Sequence, residues 1–403
     1  MGVRRTRDPG ARRRGIALGA AALLAFVVGL AAGAGNGDPE REGAVARGPG
    51  QGPVPRMPQR PTAEPRRAGR RADAAPAAAV ARLSLRQRVG ELIVFAFAGP
   101  ALPAYAADIL REGRAAGVIL FGPNVQSPAQ LRGLTAAVQR AAGGDALVAA
   151  DQEGGAIRIV RYAPPAAGEA RQADPAAAGA AARAAARGLR RAGVNVNLAP
   201  VVDVPSGEGS IMVGRAWPGG VRGVTAAARA AVPAYARAGV AATAKHFPGL
   251  GGATTNTDEA PATVRRTHAE LAAADLVPFR AAIARDVPIV MASHALYPAL
   301  DPARIASQSP RVLVDLLRRD LRFGGVAMTD SLEADAVIAR SSVATAAVRS
   351  IRAGADVALL TGPGSYPAVY RRLVATARRD PAFRARVDDA AARVLALKRR
   401  LKL

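Results

Sequence analysis

The chain has no cysteine in its 403 residues. Disulfides, thiolate metal sites, a cysteine nucleophile and lipid attachment through an N-terminal cysteine are thereby excluded. Histidine is nearly as scarce. His246, His268 and His294 are the only three, and none is paired at metal-ligand spacing, which argues against a metal enzyme. Neither a metal nor another cofactor is expected. Aromatics make up 4% of the sequence. No cluster of basic and aromatic residues stands out beyond the N-terminal region, so no nucleic-acid partner is expected. The glycine-rich run Gly249-Leu250-Gly251-Gly252 lacks the Lys-Ser/Thr of a phosphate cradle, which argues against a nucleotide site. Its glycines read instead as a mobile catalytic loop.

Acidic residues are the remaining deficit. Asp and Glu number 31 against 56 Lys and Arg, for a formal net charge of +25. Of this, +8 lies in residues 1–81, which hold 14 Arg and six acids, leaving +17 for the rest. The arginine excess reads as a solvated surface; attraction to anionic lipid or wall polymer stays open.

What is present begins with an N-terminal signal. Arg4, Arg5, Arg7, Arg12, Arg13 and Arg14 precede an uncharged stretch from Gly15 to Ala34. A basic flank followed by about 20 mostly apolar residues is an export signal or a single membrane anchor. Ala32-Gly33-Ala34 suits a signal peptidase, yet the run is long enough to span, and residues 1–34 are read as an anchor in preference to a cleaved peptide. Residues 35–81 are rich in Pro, Gly, Ala and Arg without apolar periodicity, a composition that cannot bury a core. They read as a disordered linker that would hold residues 82–403 away from the membrane.

From Leu83 onward the pattern changes. Leu85, Val89, Leu92 and Ile93 have helical spacing, and Ile93–Phe97 reads as a strand. Seven further apolar runs follow: Gly117–Phe121, Ala146–Ala150, Val194–Ala199, Val240–Ala244, Pro288–Ala292, Gly325–Thr329 and Asp356–Leu360. Most are separated by Ala- and Arg-rich segments of helical character. Strands alternating with helices indicate an α/β fold with a parallel sheet. Eight units over roughly 300 residues fit a (β/α)8 TIM barrel, with a doubly wound open sheet as the alternative. The polar residues favour the barrel. Asn124, Asp151, Asp203, His246, His294 and Asp330 all fall at or just after the end of a run. In a barrel those ends converge on one mouth; in an open sheet they spread along an edge.

Several of these segments, in order, carry a resemblance. They are Gly117-Val118-Ile119-Leu120-Phe121 with Asn124, Asp151-Gln152-Glu153-Gly154-Gly155, Asn197-Leu198-Ala199-Pro200-Val201-Val202-Asp203, and Gly214-Arg215-Ala216-Trp217. Lys245-His246-Phe247-Pro248-Gly249 is the most distinctive, followed by Met291-Ala292-Ser293-His294, Ser307-Gln308-Ser309-Pro310, Thr329-Asp330-Ser331-Leu332 and Ala353-Gly354-Ala355-Asp356. Over residues 83–403 the chain resembles glycoside hydrolase family 3, in its single-domain β-N-acetylhexosaminidase branch. The resemblance implies a TIM barrel, net retention of configuration and a carbohydrate partner, with terminal β-linked N-acetylglucosamine as the sugar. The presumed anchor and linker would bring peptidoglycan fragments to the site, and a monomer is the default state.

Glycosidic cleavage passes through an oxocarbenium-like state that a carboxylate below the ring can stabilise or attack. Asp330, at the end of an apolar run, is the candidate nucleophile; capping of the following helix is the plainer reading. The acid/base is less direct. In this branch it is a His within an Asp-Ser-His loop, and the matching positions here are Asn256, Thr257 and Asp258. Asp258 therefore stands where the donor belongs. A carboxyl can donate if burial or a neighbouring charge raises its pKa. Adjacent Glu259 is an alternative donor, and a simple turn over Asn256–Glu259 is another reading. Asp151, Arg215, Lys245 and His246 match sugar-holding residues of the family. Ile159 occupies the position of a further sugar-binding arginine, with Arg158 and Arg161 close by. Asp203 and His294 read as supporting residues, and His268 as a surface residue. Two other functions stay open: a sugar- or wall-binding barrel that has lost turnover, and a glycosidase or phosphorylase for a different sugar.

Overall fold

The structure, a computed structural model, describes residues 78–362 and 364–403. The expected anchor over 1–34 and almost all of the linker over 35–81 lie outside the described residues. Among the described residues no helix is long and apolar enough to cross a membrane.

All eight expected runs form strands, and the eight close into one barrel. They are β1 (Ile93–Ala96), β2 (Gly117–Ile119), β3 (Leu147–Ala150), β4 (Val196–Asn197), β5 (Ala241–Phe247), β6 (Ile289–Ala292), β7 (Val326–Ser331) and β8 (Val357–Leu360). Each pairs in parallel with its neighbours in sequence, and β8 closes on β1. Helices occupy the connections, so the fold is a (β/α)8 barrel and the open-sheet alternative falls away.

Strand alternation sorts the apolar residues into two layers. Val94, Ile119, Leu147, Ala149, Val196, Met291, Met328 and Leu359 belong to the cluster inside the barrel. Ile93, Phe95, Val118, Val148, Val290, Ala327 and Ala358 face outward into the layer shared with the helices. A run buried on both faces has to be apolar throughout, which is why these strands were visible as continuous runs. The approach to β1 is set locally: Ser84 caps the helix Leu85–Gly90 in a reciprocal capping box with Gln87. Alanine suits the outer helices, because small side chains let Pro175–Arg191 and Gly220–Arg237 approach closely. A Cβ added at Gly179 would sit 3.4 Å from the Ala230 Cβ.

Several strand ends differ from the sequence reading. β4 is two residues, because the chain turns at Leu198-Ala199-Pro200, where Pro200 has no N–H for a ladder. β5 and β7 run two or three residues beyond their apolar stretches, and so take Lys245, His246 and Asp330 into the strands themselves. The charges do not end these strands, since their side chains point into the polar mouth and find partners there. The glycine-rich run is also not an open loop. Gly249, Leu250 and Gly251 are buried. A Cβ on Gly251 would lie 1.9 Å from the Val204 carbonyl oxygen, and one on Gly249, at φ +127°, 2.6 Å from the Asp275 Cβ. These glycines serve close packing.

The end of the barrel opposite the mouth is held by ion pairs. The C-terminal helix Pro381–Arg400 places Val394 and Leu397 in the inner apolar cluster. Its buried Lys398 joins Glu91, before β1, and Asp145, before β3. Asp356, fully buried just before β8, receives Arg318, Arg386 and Arg393 and also accepts the Ala327 N–H. Removing the carboxylate would strand three guanidinium groups around a dry position. Asp356→Ala is therefore expected to cost about 3–5 kcal/mol, read as a lower urea midpoint with an unchanged m-value.

Candidate active site

Charged side chains gather at the C-terminal ends of β3, β5 and β7. Lys245, on β5, is buried and donates to Asp151 at 2.6 Å, just beyond β3. It also lies 2.8 Å from Glu153. Arg215, from the loop after β4, meets Glu153 with both edges of its guanidinium, Nη2 at 2.8 Å and Nε at 3.2 Å. Glu153 is buried, and burial alone would raise its pKa; Arg215 and Lys245 outweigh that and bring it down from 4.5 to about 2. Behind it sits Glu169, also buried, with one oxygen accepting the Val201 N–H at 3.1 Å. Burial first, and then the Glu153 charge, push Glu169 well above the carboxylate range.

His246 stands beside this cluster. Its Nδ1 is 2.7 Å from the carboxylate of fully buried Asp203, and its Nε2 is 3.9 Å from Asp330. Asp330 is half-buried at the tip of β7 and accepts the Ser331 N–H at 2.8 Å. Burial works to raise its pKa, but His246, His294, Lys245 and that N–H together hold it below the usual value. His294 is fixed from both sides. Its Nε2 lies 2.8 Å from the Ser331 carbonyl, which can only accept, so Nε2 carries the proton and Nδ1 accepts from Ser307 at 2.7 Å. Its own pKa is lowered, chiefly by burial.

Asp258 reaches the mouth from the long loop after β5. Asn256 shapes a turn there, its side chain accepting the Asp258 N–H at 3.1 Å and donating to Glu259. That loop docks on the one after β7: Asp335 and Ala336 donate their N–H groups to the carbonyls of Asp258 and Thr257. The Asp258 carboxyl is exposed to solvent at the mouth, yet the walls around it and the Asp330 charge raise its pKa from 3.8 to about 6. The turn expected over Asn256–Glu259 is thus present, and it carries a perturbed carboxyl.

The mouth thus brings together Asp151, Arg215, Lys245, His246, Asp258 and Asp330. Other residues do not join it. Arg161 and His268 are exposed, and Asn124 ties loops together by donating to Phe97 and Gly99 carbonyls. Arg158 lies in a short hairpin with its Nε buried and without a partner. Sequence reasoning missed Glu153 and Glu169. Glu153 lay in plain view within Asp-Gln-Glu-Gly-Gly, a second acid beyond an apolar strand. Glu169 carries no comparable signal.

Two carboxyls with separated pKa values, Asp330 and Asp258, share this mouth, and glycosidic cleavage commonly uses such a pair. The glycosyl hydrolase family 3 N-terminal domain model matches residues 84–397. The chain belongs to glycosyl hydrolase family 3. Among its relatives is a β-hexosaminidase of Methylococcus capsulatus, 37% identical over 271 residues, 66% of this chain and 80% of the relative. An uncharacterized secreted glycosyl hydrolase of Arthroderma benhamiae is 32% identical over 344 residues, 81% of this chain and 97% of the other. A family 3 β-N-acetylglucosaminidase structure from Paenibacillus superposes with a TM-score of 0.76 at 34% identity, covering 79% of this chain and 63% of that one. This chain therefore spans less than two thirds of the Paenibacillus protein. As a family 3 member it is a glycosidase, and its partner is a carbohydrate.

The depressed Glu153 has a thermodynamic consequence. A carboxyl whose folded pKa lies below its unfolded one contributes stability above the unfolded value and loses it as pH falls. The stability advantage of wild type over Glu153→Gln is therefore expected to be full above about pH 5 and to shrink as pH falls toward about 2, measured by urea unfolding at each pH.

Proposed function

We propose that the chain is a retaining exo-β-N-acetylglucosaminidase that removes terminal β-linked N-acetylglucosamine from glycans. One observation carries this reading: Asp330 has its pKa held below the usual value next to His246, while the protein around Asp258 and then the Asp330 charge raise the Asp258 pKa to about 6, so that it still carries a proton part of the time near neutral pH. Asp330 attacks the anomeric carbon as Asp258 gives its proton to the glycosidic oxygen. The leaving group departs as an alcohol and a glycosyl ester on Asp330 remains. Asp258, now ionised, takes a proton from water, whose oxygen attacks the same carbon, and both carboxyls return to their first state. Two displacements give net retention. Asp151, Arg215, Lys245 and His246 hold the sugar's hydroxyls and N-acetyl group.

Fragments of peptidoglycan are the substrates this reading favours. The basic, apolar N-terminal segment points to export or anchoring outside the cytoplasm, and one relative is described as secreted. The acting form is a monomer. The rival reading, a sugar-binding barrel without turnover, draws on the absent loop histidine.

Hydrolysis of a chromogenic N-acetyl-β-glucosaminide separates the two. Asp330→Ala is expected to lose roughly a thousandfold or more in kcat; equal rates in both forms would remove Asp330 from the mechanism, and none in either would favour the binding barrel. For the donor, Asp258→Asn is expected to slow alkyl and saccharide leaving groups far more than activated aryl ones. An acid must hold its proton to give it, so wild-type kcat/KM for a poor leaving group is expected to fall as pH rises through about 6. That limb should vanish in the variant; its persistence would point to Glu259 or another donor.

A further inference from the structure

Asp203 is fully buried and makes more hydrogen bonds than any other carboxylate near the mouth. It accepts the His246 main-chain N–H at 3.1 and 3.2 Å, the His246 ring at 2.7 Å, and the Leu250 N–H at 2.6 Å. The segment from His246 to Leu250 is thereby wrapped around one carboxylate. A carboxylate can only accept, so the contact to Nδ1 assigns that nitrogen the proton. The ring then has one atom left for the mouth, Nε2, and it faces Asp330 at 3.9 Å. The order is carboxylate, imidazole, carboxylate. The first is dry and fixed; the last is open to substrate.

We propose that Asp203 is a positioning residue for the reaction: it fixes the plane and tautomer of His246, so that Nε2 alone meets Asp330 and the bound sugar, and it sets the start of the loop that carries Asp258. The proposal rests on the glycosidase reading for its catalytic consequence and on geometry alone for the tautomer. Amide substitution tests it with little change of shape. In Asp203→Asn one oxygen still accepts the main-chain N–H groups, but an NH2 group can replace the oxygen that met Nδ1. It would force Nδ1 to become an acceptor and move the proton to Nε2. A buried structural carboxylate would change melting temperature without moving that proton.

The measurement is the 15N spectrum of the histidine rings in the full chain, with the His246 signals assigned by their loss in His246→Gln. Wild type is expected to show a protonated Nδ1 in His246, and Asp203→Asn a population shifted toward protonated Nε2. A bare Nδ1 in wild type overturns the proposal without any variant having to fold. In turnover, Asp203→Asn is expected to lose about 10- to 100-fold in kcat, the scale seen when a metal-binding histidine loses the hydrogen-bond partner that orients it. In a His246→Gln background the same change should cost no more than about twofold, since residues acting through one another are not additive. A full loss in that background would mean that Asp203 does not act through His246. Were the chain to lack glycosidase activity altogether, the spectra would still decide the tautomer, so the two failures are distinguishable.

Discussion

The site depends on one buried cation. Lys245 is 3% exposed, and a lone ammonium at that depth would give up its proton. Asp151 at 2.6 Å and Glu153 at 2.8 Å prevent this and hold its pKa above the ordinary lysine value against the pull of burial. Glu153 in turn is kept ionised by Lys245 and Arg215 together. Two cations then face two carboxylates. Glu169, next in depth, forms no ion pair among the described residues; burial and then the neighbouring Glu153 charge push its pKa well above the carboxylate range. The Lys245 and Arg215 charges are therefore matched by Asp151 and Glu153 without Asp330. The Asp330 carboxylate is left outside those pairs, at the tip of β7 beside His246, with its pKa below the usual value.

The two ends of the barrel use the same chemistry for different purposes. Away from the mouth, Asp356 and Lys398 are ringed by opposite charges and anchor helices to strand starts. At the mouth the networks are incomplete by design of the geometry: Arg215, Asp151 and Asp330 are each paired on one side and partly open on the other. A parallel barrel makes this division natural, because every strand delivers its C-terminal end to the same rim.

Much of this could be read from residue order. Strands buried on both faces must be apolar, so β1 to β8 stood out, and Asp151, His246 and Asp330 were conspicuous as charge at their tips. The strand ends were less legible. Lys245 extends β5 because a carboxylate far along the chain neutralises it, and Asp330 extends β7 into the polar mouth beside His246; local pattern cannot see Asp151 from Lys245. The role of Glu153 depends on Arg215 and Lys245, 62 and 92 positions later, which is why the residue passed as part of a motif. The glycines after Pro248 misled for a related reason. Freedom of backbone and absence of a Cβ are one property in sequence; only packing against Val204 and Asp275 shows which is used.

The replacement of a loop histidine by Asp258 has a physical consequence in the proposed mechanism. Asp258 and Asp330 are then a pair of interacting carboxyls at the mouth. Surrounding protein raises the Asp258 pKa first, and the Asp330 charge raises it further, to about 6. When Asp330 becomes a glycosyl ester it is neutral, and its contribution to Asp258 disappears. The pKa of Asp258 then falls by the share that the Asp330 charge supplied, while burial goes on raising it. The first step needs an acid and the second a base, and the nucleophile's own charge switches one into the other. Hydrolysis of the ester restores the charge, which draws the proton back onto Asp258. The donor need not be tuned independently for its two tasks, provided that the loop docked on Asp335 and Ala336 keeps it within reach of the Asp330 field.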